Sequence, residues 1–195
     1  MNPEYVSALA KILQRHRAKF IVVGGAAVYR LYPSESHDVN ALLMAREYSR
    51  LVGEIDKDPG VVSMTREEGE MAGGHFIAGQ SLVRFDLLDP SAFSGKKDGD
   101  EFFDYVHQYA STKEGDIPYA DPAVVWYMRL LVGGEGWRVQ VPKLLRDVRA
   151  GAPWELLDRV REIASRFGVQ ETLGHRIPIL QEQARRAGLL AYPER

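Results

Sequence analysis

The stretch FIVVGGAAVYRLYPSESHDVNALL, residues 20–43, decides the fold. Its first four residues, 20–23, form a short apolar run typical of a buried strand, and Gly24 and Gly25 end that run at once. A short helical segment comes next, and residues 38–44 again have the composition of a strand. This order of strand, glycine turn, helix and strand predicts a mixed α/β unit.

The glycine pair allows the backbone to come close to a phosphate group, because neither residue has a side chain in the way. The pair is not a dinucleotide-binding fingerprint, since Ala26 stands where that pattern needs a further glycine, and it lacks the lysine of a P-loop. The alternative is a tight turn that needs glycine only for its backbone conformation. Gly24 and Gly25 are therefore candidate phosphate contacts only in combination with polar residues later in the chain.

Polar residues interrupt two of the predicted strands. Asp38 and Asn40 point to the same face of their strand, because side chains alternate along it, and two oxygen donors on one face can present Mg²⁺ to nucleotide phosphates. Asp86 lies within the otherwise apolar run 82–88, where a buried carboxylate needs a cation or a metal beside it. The alternatives for Asp86 are an ion pair with Arg84 or a position on an edge strand.

The rest of the chain changes character once. Three further strand candidates, 61–64, 75–78 and 82–88, precede a polar loop, and Asp121 with the adjacent proline predicts the start of a helical part. That part is expected to remain helical to residue 188, with a break near Gly174 and Pro178. We expect an α/β domain over residues 1–115, with a mixed sheet flanked by helices, and a helical bundle over residues 116–195.

Composition narrows the classes of function. The net charge of −2 and pI near 6.2 argue against a protein whose whole surface grips nucleic acid, which would be basic. The absence of cysteine excludes disulfides, thiolate metal sites and cysteine nucleophiles. No signal peptide is expected at the start of the chain, and no run of 18 apolar residues occurs, so the sequence predicts a soluble, cytoplasmic protein without a membrane partner.

Taken together, the motifs resemble those of the nucleotidyltransferase superfamily, above all its minimal, antitoxin-paired and abortive-infection-toxin-like branches. The resemblance covers about residues 19–90 and extends loosely into VPKLLRDV, which is similar to the Lys-x-x-x-Asp helix of the toxin-like branch. The positions that match are Gly24 and Gly25 in the turn, Ser36 two residues before the first acid, Asp38 as the first acid, Asp86 as the third acid, and Lys143 with Asp147 in the later helix.

The resemblance implies an activity and its participants. Asp38 and Asp86 would be catalytic and, with Asn40, would hold Mg²⁺, while Gly24, Gly25, Ser36 and Lys143 would bind the nucleotide. The reaction would transfer a nucleoside monophosphate from a nucleoside triphosphate to a hydroxyl, with RNA or a protein as the acceptor. Asp86 would also activate the acceptor hydroxyl.

Two positions depart from the family pattern. Asn40 replaces the second acid, and Ser34 stands where relatives often have a basic residue. Asparagine can give a carbonyl oxygen to Mg²⁺ but contributes no negative charge, so we expect weak metal binding and weak or absent activity. The alternative function is a non-catalytic relative, a pseudoenzyme that binds a nucleotide or a protein. A weaker alternative is an unrelated α/β protein that matches the motif by chance.

The later helix has a second interpretation. Its basic residues could contact nucleotide phosphates or an RNA end, or they could be the solvated face of an amphipathic helix. These basic residues are Arg138, Lys143, Arg146 and Arg149.

Overall fold

The computed structural model describes residues 2–32, 38–66, 71–109 and 111–189. Its strands are β1 Phe20–Val23, β2 Asp38–Leu43, β3 Val61–Arg66, β4 Met71–Ala78, β5 Ser81–Leu88, β6 Ser111–Glu114 and β7 Ile117–Ala120. Its α-helices are α1 Pro3–Arg15, α2 Gly24–Tyr29, α3 Ala45–Ile55, α4 Gly99–Tyr109, α5 Pro122–Leu131, α6 Gly136–Arg149, α7 Leu156–Phe167 and α8 Gln170–Arg186. A short 3₁₀ helix spans Pro90–Phe93.

The strands form one mixed sheet in the order β3-β4-β5-β2-β1-β7-β6. Two neighbouring pairs are parallel, β2 with β5 and β1 with β7, and the other pairs are antiparallel. Helices pack against this sheet, and α5 to α8 come after it as a helical bundle. The expected fold class, a mixed α/β sheet with a helical C-terminal part, is confirmed.

The two faces of the β4-β5-β2 region differ in character. Val39, Phe85 and Phe76 are fully buried on one face, against which α1 packs its apolar stripe. The opposite face has the alternate residues of the same strands, and these include exposed aliphatic side chains such as Ile77 and Leu82. Asp38, Asn40, Arg84 and Asp86 lie on this second face, which we call the open face.

An ionic cluster ties the end of α1 to the loop before β3. Asp58 is buried and accepts hydrogen bonds from Arg15 Nε and Nη2 at 3.1 and 2.6 Å and from the backbone N–H of Gly60 at 2.8 Å. The Nε2 atom of His16 lies 2.8 Å from the same carboxylate. Burial raises the pKa of Asp58, but these hydrogen bonds outweigh burial and bring the pKa down to about 2.

The sheet extends beyond the residues that the sequence assigned to it. The hairpin of β6 and β7 adds two strands beside β1, and residues 117–120 therefore lie in the sheet and not in the helical part to which they were assigned. The expected division after residue 115 falls in the turn of this hairpin, and the two-domain division itself stays a prediction. Helix α4 was also not foreseen, although Phe102, Phe103 and Val106 form its buried stripe.

The expected break near residues 174–178 is absent, since α8 runs through both positions. Proline removes one backbone donor and its ring presses on the carbonyl four residues earlier, and in α8 that residue is Gly174. Leu173, Ile177 and Leu180 are buried on the inner side of the helix, and this packing outweighs the local cost of Gly174 and Pro178.

Within the described ranges, none of the helices is both long enough and apolar enough to cross a membrane.

Candidate active site on the open face

A single row of residues crosses the centre of the sheet. Val23 on β1 pairs with Asn40 on β2, Asn40 lies in register with Asp86 on β5, and Asp86 pairs with Gly73 on β4. Asp38, two residues before Asn40, projects from the same face of β2. The structure therefore places Asp38, Asn40 and Asp86 on the same face of two neighbouring strands, and their sharing of one metal ion stays a prediction.

Gly24 leaves room at the end of the row next to β1. Its φ of 67° lies in the left-handed region, and a Cβ placed there would be 2.7 Å from Nδ2 of Asn40. A side chain at this position would be strained and would also displace the amide. Gly25 is the next residue of α2, which is only six residues long. The contact of these two glycines with phosphate stays a prediction.

A second glycine, Gly73 on β4, leaves room at the other end of the row. A Cβ at Gly73 would lie 2.8 Å from Oδ1 of Asp86, so only glycine leaves the carboxylate in its present position. The sequence reasoning missed this residue. The available signal was a glycine inside a strand pattern, which often marks close approach of a neighbouring group or a ligand.

The amide of Asn40 has an unsatisfied oxygen. Its Oδ1 atom is buried and has no hydrogen-bond partner among the residues that the structure describes. A buried polar atom without a partner costs roughly 1–3 kcal/mol, and such atoms in folded proteins call for a water, an ion or a ligand. Asn40 is the register partner of Asp86 on the same face, so a cation bound between the two residues would satisfy this oxygen.

Asp86 is almost completely buried, at 7% exposure, and it contacts an arginine on its own strand. Nη2 of Arg84 lies 3.4 Å from Oδ1 of Asp86, and Arg84 is also the register partner of Asp38. The contact is longer than the roughly 2.7–2.9 Å of a strong charge-assisted hydrogen bond. The ion pair that the sequence offered as an alternative for Asp86 is therefore present, on the same face as the two other site residues.

The donor set suits a hard cation but has little charge. Two carboxylates and an amide oxygen are the kind of ligands that Mg²⁺ and Mn²⁺ accept. Over the described part of the chain, no three or more His, Asp or Glu side chains are grouped so that they could hold a metal ion. Asp38, Asp86 and the Asn40 oxygen could together hold one divalent cation, and with two charges they would hold it more weakly than three acids would.

The later helix supplies a buried acid of a different kind. Asp147 of α6 accepts hydrogen bonds from Trp126 Nε1 at 3.1 Å and from Arg129 on α5. Burial raises the pKa of Asp147, although the charge of Arg129 acts in the opposite direction. This carboxylate holds α6 against α5, and its hydrogen bonds are directed into the helical bundle.

Two of the predicted nucleotide contacts stay predictions. Lys143 is exposed on α6, whose main packing partner is α5. Ser36 lies outside the described residues, as do Ser34 and the other residues of the stretch 33–37.

No protein-family model and no curated protein matches the sequence. Among solved structures, the chain is similar to the antibiotic-resistance factor ANT(2″)-Ia, with 13% identity, a TM-score of 0.47 and 96% of each chain covered. It is also similar to an antigenic nucleotidyltransferase-like protein from Paracoccidioides brasiliensis, with 12% identity and a TM-score of 0.46 over 88% of this chain and 91% of that one. These are remote similarities, and the functional proposal rests on the row of residues across the open face.

Proposed function

We propose that the chain binds a nucleoside triphosphate together with Mg²⁺ on the open face and transfers the nucleoside monophosphate slowly to a hydroxyl acceptor. The observation that supports this proposal is the register of Asn40 with Asp86, with Asp38 on the same face of the neighbouring strand. Three oxygen-bearing side chains lie on one face of the sheet, and the absence of a side chain at Gly24 leaves room for the Asn40 amide. In such a site, catalysis consists mainly of positioning and charge neutralisation.

Each residue has a role in the proposed reaction. Asp38, Asp86 and the Asn40 oxygen would hold the divalent cation, which when bound supplies positive charge against the phosphates. Gly24 and Gly25 would let the phosphates approach the backbone, and Ser36 and Lys143 would contact the nucleotide. Asp86 would in addition accept the proton of the acceptor hydroxyl, since it lies at the centre of the row.

A second candidate function is a non-catalytic nucleotide-binding protein. The observation that favours it is Asn40, because this side chain gives the central position of the row no charge. Both functions require nucleotide binding, so transfer is the property that separates them.

The test is a pair of measurements on the purified chain. Calorimetric titrations with Mg²⁺ and the α,β-methylene analogues of the four nucleoside triphosphates, which cannot be cleaved at the reacting bond, measure binding. Incubation with α-labelled nucleotides and a mixture of RNA and protein acceptors measures transfer. Binding with transfer supports the enzyme, and binding without transfer supports the second candidate. If none of the four analogues binds, both are wrong.

A further inference from the structure

Arg84 forms an ion pair with Asp86, the carboxylate at the centre of the row. Among the described residues, it is the nearest cationic side chain to that carboxylate. Its guanidinium lies 3.4 Å from Asp86. In the pairing of β5 with β2, Arg84 is the register partner of Asp38. The arginine side chain is 58% exposed, whereas the carboxylate of Asp86 is 9% exposed. One partner of the ion pair is therefore held by the sheet, and the other extends from the sheet surface into solvent.

This geometry matters because Arg84 and a divalent cation would need the same negative charge. Two carboxylates lie on the face, and the guanidinium already neutralises part of the charge of Asp86 in the protein alone. A bound Mg²⁺ would face the repulsion of a unit positive charge unless Arg84 moved away from Asp86. Such movement costs little free energy, because the contact is long and the arginine side chain is exposed.

A triphosphate offers Arg84 a better partner than Asp86. A guanidinium has five N–H donors in a planar fork that matches phosphate oxygens, and only one contact, to Asp86, is recorded for it within the described residues. The phosphates would lie on the same face if the cation bridges them to Asp38 and Asp86. Arg84 would then turn from the carboxylate to the phosphates as the cation enters.

We propose that Arg84 couples nucleotide binding to metal binding at this site by exchanging the Asp86 carboxylate for the triphosphate. This inference rests on the proposed function, because it takes the open face as the site for both ligands. In the protein alone, Arg84 lowers the affinity for the metal ion because it pairs with Asp86. When the nucleotide is bound, Arg84 contacts the phosphates and the metal affinity rises. By linkage, the metal then strengthens nucleotide binding by the same factor.

The experiment measures a binding cycle in three proteins: the wild type, Arg84→Ala and the control Arg50→Ala. Arg50 is an exposed arginine on α3 that pairs with Glu54, so its removal changes the net charge equally without touching the open face. Mn²⁺ alone, α,β-methylene ATP alone and the two together are titrated by calorimetry, and thermal unfolding checks that each variant is folded. The other three methylene analogues replace the ATP analogue where they bind more tightly.

For Arg84→Ala we expect Mn²⁺ alone to bind about tenfold more tightly, as removal of a unit charge about 6 Å from a divalent ion in a water-like dielectric would give. The nucleotide analogue alone should bind more weakly than to the wild type. The coupling between the two ligands should fall below its wild-type value, to the part that the cation contributes by bridging the phosphates to the carboxylates. Arg84→Lys keeps the charge but not the fork, and it should retain the low metal affinity while losing part of the nucleotide affinity.

If Arg84→Ala binds Mn²⁺ no more tightly than Arg50→Ala does, or keeps the wild-type coupling, the role of Arg84 is wrong while the proposed function stands. If the wild type binds none of the four analogues, the proposed function and the role of Arg84 are both wrong.

Discussion

Asn40 lies directly opposite Asp86 on the parallel strands β2 and β5, and its buried Oδ1 has no hydrogen-bond partner among the described residues. A carboxylate at position 40 would have the same size and shape as the amide. Position 40 therefore allows the charge of the site to be changed with little change in its packing.

Asn40→Asp should strengthen metal binding. Adding one negative charge beside a divalent cation should raise the affinity for Mg²⁺ or Mn²⁺ about tenfold to a hundredfold, because desolvation of the new carboxylate cancels much of the Coulomb gain. The measurement is a titration with Mn²⁺ in the presence of an α,β-methylene nucleotide. Without metal, the new carboxylate opposite Asp86 should lower the melting temperature, and Mn²⁺ should restore it.

Asn2→Asp is the matched control for this variant. Asn2 caps α1 through its side-chain oxygen, a role that aspartate fills equally well, and the substitution changes the net charge by the same amount. The control should bind Mn²⁺ as the wild type does. Equal affinities of Asn40→Asp and the wild type would mean that position 40 does not contact a metal.

Gly73→Ala should weaken the site more than the fold. The new Cβ would lie 2.8 Å from Oδ1 of Asp86, so the carboxylate must turn out of its position, and we expect metal affinity to fall about tenfold. Gly74→Ala is the comparison, because its Cβ would lie 2.3 Å from the backbone oxygen of Ser63 and would press on Phe85 on the buried face. That variant should lose stability, by about 1–3 kcal/mol or more. Metal titration and urea unfolding of both variants separate the two effects.

Asp58→Asn should reduce stability at neutral pH and change its dependence on acid. The pKa of Asp58 is about 2 in the folded chain against an ordinary 3.8, so its ionised form stabilises the fold above pH 3.8. That contribution, about 2 kcal/mol, is lost as the pH falls from 3.8 toward 2. Urea unfolding should show the variant less stable by about this amount at neutral pH, with the difference disappearing near pH 2.

Glu182→Gln is the control for the acid experiment. Glu182 forms exposed pairs with Arg185 and Arg186 on α8, and pairs of this kind contribute little to stability. Its removal should change the free energy of unfolding by about 0.5 kcal/mol or less at neutral pH. If the Asp58 variant behaves in the same way, the cluster with Arg15 does not stabilise the fold.

Gly174→Ala should stabilise the chain. Gly174 lies inside α8 with nothing within 4 Å of the position that a Cβ would take, so alanine adds helix propensity without a clash. The gain should be about 0.5–1 kcal/mol in urea unfolding. Gly168→Ala should have the opposite sign, because Gly168 ends α7 at a φ of 70° and lies against Lys96.

The polar face of β2 and β5 could be predicted from the sequence because it depends only on the alternation of side chains along a strand. Asp38 and Asn40 had to share a face wherever β2 lay, and Asp86 joined them because its strand runs parallel to β2 in register. The contribution of Gly73 could not be predicted, since it depends on which residue of β4 pairs with Asp86, and that register is a tertiary property.

In the helical part, tertiary packing decides features that the local sequence does not predict. Local propensity predicts a break at Gly174 and Pro178, and the buried inner side of α8 overrides it. The motif match singled out Asp147, which is a buried carboxylate in the structure. Its hydrogen-bond partners Trp126 and Arg129 lie on another helix, so its side chain is directed into the bundle. Sequence spacing gives no information about such partners.

The position of β7 has a consequence for how the chain can be divided. In the complete sheet β1 is an inner strand, because β2 lies on one side of it and β7 on the other. A fragment that ends at residue 115 lacks β7, and β1 then has a row of unpaired backbone groups along an apolar strand. Such an edge recruits strands from other molecules. Truncation of the chain at the turn between β6 and β7 would therefore leave β1, the strand before Gly24, as a template for self-association.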